Sequence, residues 1–105
     1  MSGLDPAIHA VARLELCGLL SPVDDAEFSF LRDRLKVSDS VLSKHAKALE
    51  QVGYLSIVKI TRNARQRTLL SLTPAGRRAF RAHVDELRRL ASIAEASQTV
   101  VTPET

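Results

Sequence analysis

Ser38, Asp39, Ser40, Ser43, Lys44, His45 and Lys47 fall within ten consecutive residues, and Arg62, Arg65 and Arg67 follow within six more a short way downstream. Short hydroxyls permit close approach and pair with several base edges. Ammonium and guanidinium groups pair with phosphate oxygens or guanine acceptors. This is the chemistry of polyanion recognition rather than of bond breaking. The chain has no Gly-rich phosphate loop, and nothing in its order places Ser, His and Asp as a triad, so no enzyme is expected. The metal-ligating types, His9, Cys17, His45 and His83, are scattered. His9 and Cys17 share one expected helix, more than two turns apart. An interface site from His9, Cys17 and His83 is conceivable, but Cys17 reads better as a small buried hydrophobe. No metal and no cofactor is expected.

Charge supports the first reading. From Met1 to Leu35 three Arg face six acids, net −3; from Lys36 to Arg67 four Lys and three Arg face two acids, net +5; from Thr68 onward the net is +1. Positive charge therefore concentrates where the candidate residues lie, as on a nucleic-acid face. The blander alternative is a solvated, mildly basic surface.

A chain of 105 residues makes one domain with a core of its own. With 4% aromatics and no Trp, that core is Leu, Val, Ile and Ala, which suits helices. No apolar run approaches the roughly 20 residues of a bilayer span. No signal peptide is visible, and one cysteine excludes an internal disulfide. The expected location is the cytoplasm, with no membrane partner.

Asp5-Pro6 reads as the start of a first helix ending near Leu20, with Ile8, Val11, Ala12, Leu16, Leu19 and Leu20 at helical spacing. An acidic loop leads to a short strand through Glu27-Phe28. Ser29 then caps a helix from Phe30 to Lys36 whose apolar positions are Phe30, Leu31 and Leu35. Ser38 caps the third helix, Asp39 to Val52, with Leu42, Ala46 and Leu49 on one face and Val41 and His45 beside it. Gly53 falls where a left-handed residue ends a helix. Tyr54 to Thr61 alternates as a strand. Arg62 to Gln66 forms a hairpin tip in which Asn63 takes positive φ, and Arg67 to Leu72 returns. Thr73-Pro74 caps a last helix running to about Ala96. The expected domain is 1–97, with a flexible tail at 98–105. The order predicts a mainly α fold with a small β-hairpin: a winged helix-turn-helix with a long C-terminal helix.

Within that frame Ser38, Asp39, Ser40, Ser43, Lys44, His45, Lys47, Arg62, Arg65 and Arg67 are the candidate DNA contacts, joined by Lys59 if its side chain points outward. Asp39 is discordant: it either accepts from cytosine N4 or merely favours the helix N-terminus. His45 either touches phosphate or is partly buried and bonded to backbone. Phe80, Val84, Leu87, Ala91 and Ala94 step by 4, 3, 4, 3 as a heptad seam, widened by Leu90. Part of that seam folds back on the first helix, and the rest, with Ile8 and Val11, is expected at a homodimer interface; a purely intramolecular cap is the alternative. Arg77, Arg78, Arg81, Arg88 and Arg89 are expected to pair with Asp85, Glu86 or N-terminal acids such as Glu15.

LDPAIHAVARLELCGLL, FSFLRDRLKVSDSVLSKHAKALEQVGYL and RTLLSLTPAGRRAF carry a family resemblance over about four-fifths of the chain. The middle block with Leu49, Gly53 and Tyr54, followed by Leu72-Thr73-Pro74-Ala75-Gly76, is the more specific part. The chain resembles winged helix-turn-helix transcriptional regulators of the MarR/ArsR type. The resemblance implies a homodimer joined through terminal helices, a recognition helix in the major groove of double-stranded DNA, and a wing, Arg65 foremost, on the minor groove or its phosphates. The cysteine motif of metal-sensing ArsR proteins is missing, so metal sensing is not implied. The alternative function is a winged-helix protein-interaction module without DNA binding. No residue set marks a small-molecule effector, and whether one acts, for instance between the first and last helices, is left open.

Overall fold

A computed structural model describes residues 4–8 and 10–100, with side chains as far as Ala96. Seven elements follow in order: α1 (Val11–Leu20), β1 (Ala26–Glu27), α2 (Phe28–Leu35), α3 (Asp39–Gln51), β2 (Leu55–Arg62), β3 (Arg65–Leu72) and α4 (Pro74–Val100). The fold is the mainly helical winged helix-turn-helix expected. The strands form one antiparallel sheet in the order β1-β3-β2, with β2 and β3 in continuous register from Leu55 opposite Leu72 to Arg62 opposite Arg65.

One core holds the domain. Ile8, Leu16, Cys17, Leu20, Leu31, Leu42, Ala46, Leu49, Leu55, Leu70 and Leu72 are buried together. On α3 the inward stripe is Leu42, Ala46 and Leu49, as the spacing predicts. The Ser38 side chain accepts from the Val41 amide at 3.2 Å and so caps α3. At the other end Gly53 takes φ +83, the Gly53 amide donates to the Glu50 carbonyl and the Tyr54 amide to the Leu49 carbonyl. These are the two bonds that close a helix before a left-handed residue.

Several expected boundaries move. The first helix begins at Val11, not at Asp5-Pro6; Asp5 starts only a short turn at 6–8, in which the Ile8 amide donates to the Asp5 carbonyl at 3.0 Å. Its Oδ1 accepts from the Ala7 amide, its Oδ2 accepts from the Tyr54 hydroxyl at 2.6 Å, and its amide donates to His83 Nδ1 at 3.0 Å. One residue thereby ties the N-terminal turn to the head of β2 and the middle of α4. The bond to Asp5 raises the Tyr54 pKa, as burial does to a lesser degree, so the phenol stays a donor.

The second helix starts at Phe28, with Glu27 rather than Ser29 at its N-cap position. Glu27 is paired with Leu69 in the sheet, so the chain turns directly from strand into helix. That phase sends Phe28, Leu31 and Leu35 inward and leaves Phe30 49% exposed, the Arg34 guanidinium 5.7 Å above its ring.

Thr73 caps α4 as expected: its hydroxyl accepts from the Gly76 amide at 3.0 Å and donates to the Gly53 carbonyl at 2.6 Å. Helix α4 runs to Val100, past the expected end near Ala96, so 98–100 continue the helix instead of beginning a tail. No proline or glycine interrupts the stretch, and residues 101–105 lie outside the described ones. Ile8, expected at a dimer interface, is wholly buried within the protomer and has no surface to offer a partner.

Gly76 is buried, and a Cβ there would meet the Tyr54 carbonyl oxygen at 2.0 Å, a backbone atom that cannot swing away. Replacing Gly76 with Ala is expected to destabilise the domain by about 1–3 kcal/mol, read by denaturant unfolding. An unchanged midpoint would mean that α4 does not sit this close to β2.

Candidate nucleic-acid interface

With Leu42, Ala46 and Leu49 turned inward, the helical period puts Ser40, Lys44 and Lys47 on the opposite, exposed face of α3, with Ser43 half-buried at its edge. The structure thus brings Ser40, Ser43, Lys44 and Lys47 together on one surface. Neither lysine has a hydrogen bond or ion pair among the described residues. Lys47 and Ser43 also line a pocket of about 230 Å³ with Lys59 and Thr68 over Phe28, Ala46, Ile57 and Leu70. Lys59 is exposed and shares this side of the sheet, next to α3.

Asp39 stands apart from the basic face. Its Oδ1 accepts from Arg32 Nη1 at 3.0 Å, and Arg32 also holds Asp33 through Nε. The carboxylate is 71% exposed, in the first turn of α3. There it ties α2 to α3 and complements the helix N-terminus. Ser38 spends its hydroxyl oxygen on the cap and lies 3.3 Å from the Ser40 hydroxyl.

His45 is half-buried, and its partner is a side chain rather than the backbone: Arg13 Nε on α1 donates to His45 Nδ1 at 3.2 Å. Burial first, then the charges of Arg13 and Lys44, hold its pKa below the ordinary histidine value. The sequence does not single out Arg13. Its role depends on a contact across 32 positions, which no local pattern reports.

The wing is tighter than expected. Only Asn63 and Ala64 form its turn, both at positive φ, 54 and 62. A two-residue turn of this kind matches the twist of the strands. Arg62 and Arg65 therefore face each other across the last rung, exposed and without an acid partner among the described residues. Two guanidiniums placed opposite on one face repel. Arg67 differs: its Nη1 lies 3.2 Å from Glu27 Oε1, anchoring β3 to the start of α2.

The other candidates separate by location. Arg77 does not pair with an acid; Nη1 and Nη2 donate at 2.8 Å to the Ser21 and Val23 carbonyls and clamp the loop after α1. Arg88 and Arg89 pair with Asp85 and Glu86 one turn back. Arg77, Arg81 and Arg88 line a cleft of about 220 Å³ with Ser21, Phe80, Val84 and Asp85, between the end of α1 and α4. Phe80 packs on the core, Val84 and Leu87 are half-buried, and Ala91 and Ala94 are exposed. Val11, at 73% exposure, lies on the surface of α1. Burial pushes the Cys17 thiol up to about 11, with Asp5 adding to the effect, so it is an inert core group. No group of three or more metal-ligating side chains exists among the described residues, and His9 lies outside them. Nor is any described helix long and apolar enough to cross a membrane.

Known proteins share this fold. A family model described as winged helix DNA-binding domain matches residues 12–91. An uncharacterized protein of Methanocaldococcus jannaschii is 30% identical over 82 residues, which cover 78% of this chain and 89% of that protein. Among solved structures, a transcriptional regulator homologue from Pyrococcus horikoshii OT3 superposes with a TM-score of 0.78 at 23% identity, over 82% of this chain and 85% of the other. A structure from Enterococcus faecalis V583, described as a transcriptional regulator of the MarR family, gives 0.75 at 18% identity, over 89% and 84%. At these identities the two solved structures establish a common fold.

Alanine at φ 62 holds a backbone conformation that glycine takes without strain. Ala64→Gly is expected to stabilise the domain by about 1 kcal/mol, measured by chemical unfolding. A loss of stability would show that the wing turn is not left-handed at this position.

Proposed function

Because the chain belongs to the family of winged helix DNA-binding domains, we propose that it binds double-stranded DNA sequence-specifically as a homodimer and regulates transcription. One observation carries the reading. The third helix is fixed by its buried stripe in the phase that exposes Ser40, Lys44 and Lys47 as one hydroxyl and cationic face. Such a face suits the major groove: serine admits close approach to base edges, and the lysines neutralise phosphate or meet guanine acceptors. Arg62 and Arg65 at the end of the hairpin fit the adjacent minor groove or its phosphates, where a polyanion relieves the repulsion between them. Ser38, Asp39 and Arg67 act at one remove, since each is engaged within the protein.

Dimerisation is supported by α4. Its 27 residues extend about 40 Å, and beyond Leu87 they leave Leu90 and Ile93 39% and 49% exposed next to Ala91 and Ala94. An apolar stripe left uncovered among the described residues is what a second copy buries. A two-fold pair would set its recognition helices about one DNA turn apart, roughly 34–36 Å. A DNA-bound regulator with a single reduced thiol belongs in the cytoplasm.

Counterion release gives the test. The affinity of the wild type for duplex should fall steeply with salt, and the Lys44→Ala, Lys47→Ala double variant should lower the slope of log K against log salt by about 2 units. If a folded, dimeric wild type binds no duplex at low salt, DNA recognition is refuted and a protein-interaction module takes its place.

A further inference from the structure

We propose that Arg13 is a positioning residue for the recognition surface: it fixes His45 as the tautomer with its proton on Nε2, making the imidazole a single oriented donor on the flank of α3. A guanidinium has no lone pair to accept with, so the 3.2 Å bond from Arg13 Nε requires an unprotonated Nδ1 on His45. A neutral imidazole with a bare Nδ1 carries its hydrogen on Nε2. That atom has no hydrogen-bond partner among the described residues, and the side chain is only half-buried.

The placement makes this more than a packing contact. His45 sits one residue beyond Lys44 and two before Lys47, beside the exposed face of α3. Arg13 comes from α1, on the other side of the helix-turn-helix, and its Nη1 reaches back to the Ala7 carbonyl at 3.5 Å. It is therefore held from behind as well as in front. Histidine on its own samples both tautomers and a range of ring angles; Arg13 removes that freedom at one position of the helix. The groups that bear on the imidazole are both cationic, Arg13 from α1 and Lys44 from α3 itself. Burial first, and then these two charges, oppose its protonation and keep the oriented, neutral form in place at neutral pH. On acidification the imidazolium would carry a hydrogen on Nδ1, could no longer accept from Arg13, and would face two like charges. The Nε2–H donor would then lose its fixed direction.

The role in DNA recognition rests on the DNA-binding reading; the tautomer does not, and the experiment separates them. In the free protein at neutral pH, nitrogen NMR of His45 should show Nδ1 unprotonated and Nε2 protonated, with titration below the ordinary value of about 6.5. Arg13→Met should give a mixture of tautomers and an upward move of the titration. Arg13→Gln keeps an N–H donor but no charge; it should retain the tautomer while the titration still rises. A duplex selected by the wild type from a random pool, compared with a scrambled duplex, supplies the second readout. Its discrimination ratio should fall about tenfold in Arg13→Met and be recovered in Arg13→Gln. A wild-type His45 protonated on Nδ1 overturns the proposal. So does an Arg13→Met protein that folds, binds DNA and keeps the full ratio. If Arg13→Met does not fold, the wild-type tautomer and the Arg13→Gln titration still decide.

Discussion

The phase of α3 is the constraint on which the rest depends. Leu42, Ala46 and Leu49 are each almost completely buried, so the helix cannot rotate without bringing Ser43, Lys44 or Lys47 toward the core. Lysine carries too large a desolvation penalty to be accepted there, and the apolar residues too large a loss if exposed. Both ends of α3 are pinned as well, by Ser38 at its start and by Gly53 at its close. Ser40, Lys44 and Lys47 are exposed together because the opposite side of the same helix has no other place to go.

Around this helix the domain is stitched by a few long-range polar contacts. Asp5 joins the N-terminal turn to Tyr54 and His83. Gly76 lets α4 lie against the Tyr54 backbone, and Arg77 closes the loop after α1. Arg32 spans to Asp39, and Arg67 to Glu27. These last two are partly exposed ion pairs, worth little as stability. Their consequence is selective: they occupy some of the charged groups near the candidate interface and leave Lys44, Lys47, Arg62 and Arg65 available. The basic zone visible in the sequence is thereby reduced to a smaller set of cations.

What could be read from the chain was what is local. The stripe on α3, its serine cap, the glycine that ends it, the hairpin and the Thr73-Pro74 start of α4 each depend on residues within a turn or two of each other. What could not be read was what depends on distance. Asp5 reads as the cap of a long helix, yet it caps only the short turn after it, while its Oδ2 and its amide reach Tyr54 and His83. Ser29 looks like a cap until Glu27 is seen paired to Leu69, which shifts α2 by two residues and exchanges Phe30 for Phe28 in the core. Asp39 reads equally as a base contact or as a charge at the helix N-terminus, and no local pattern reports that Arg32 lies 3.0 Å from it. Ile8 reads as a partner-surface residue because helical spacing reports which residues are apolar, not which neighbours cover them.

The central claim is that α3 reads duplex DNA. Its most direct test is selection of bound sites from a random duplex pool by the 105-residue chain, followed by sequencing. The account predicts an enriched motif of two inverted half-sites whose centres lie about one helical turn, roughly 10 base pairs, apart. A pool that remains unenriched although the protein is folded, or that is enriched for a feature unrelated to α3 and unchanged when Ser40, Ser43 and Lys44 are replaced by alanine, would contradict it.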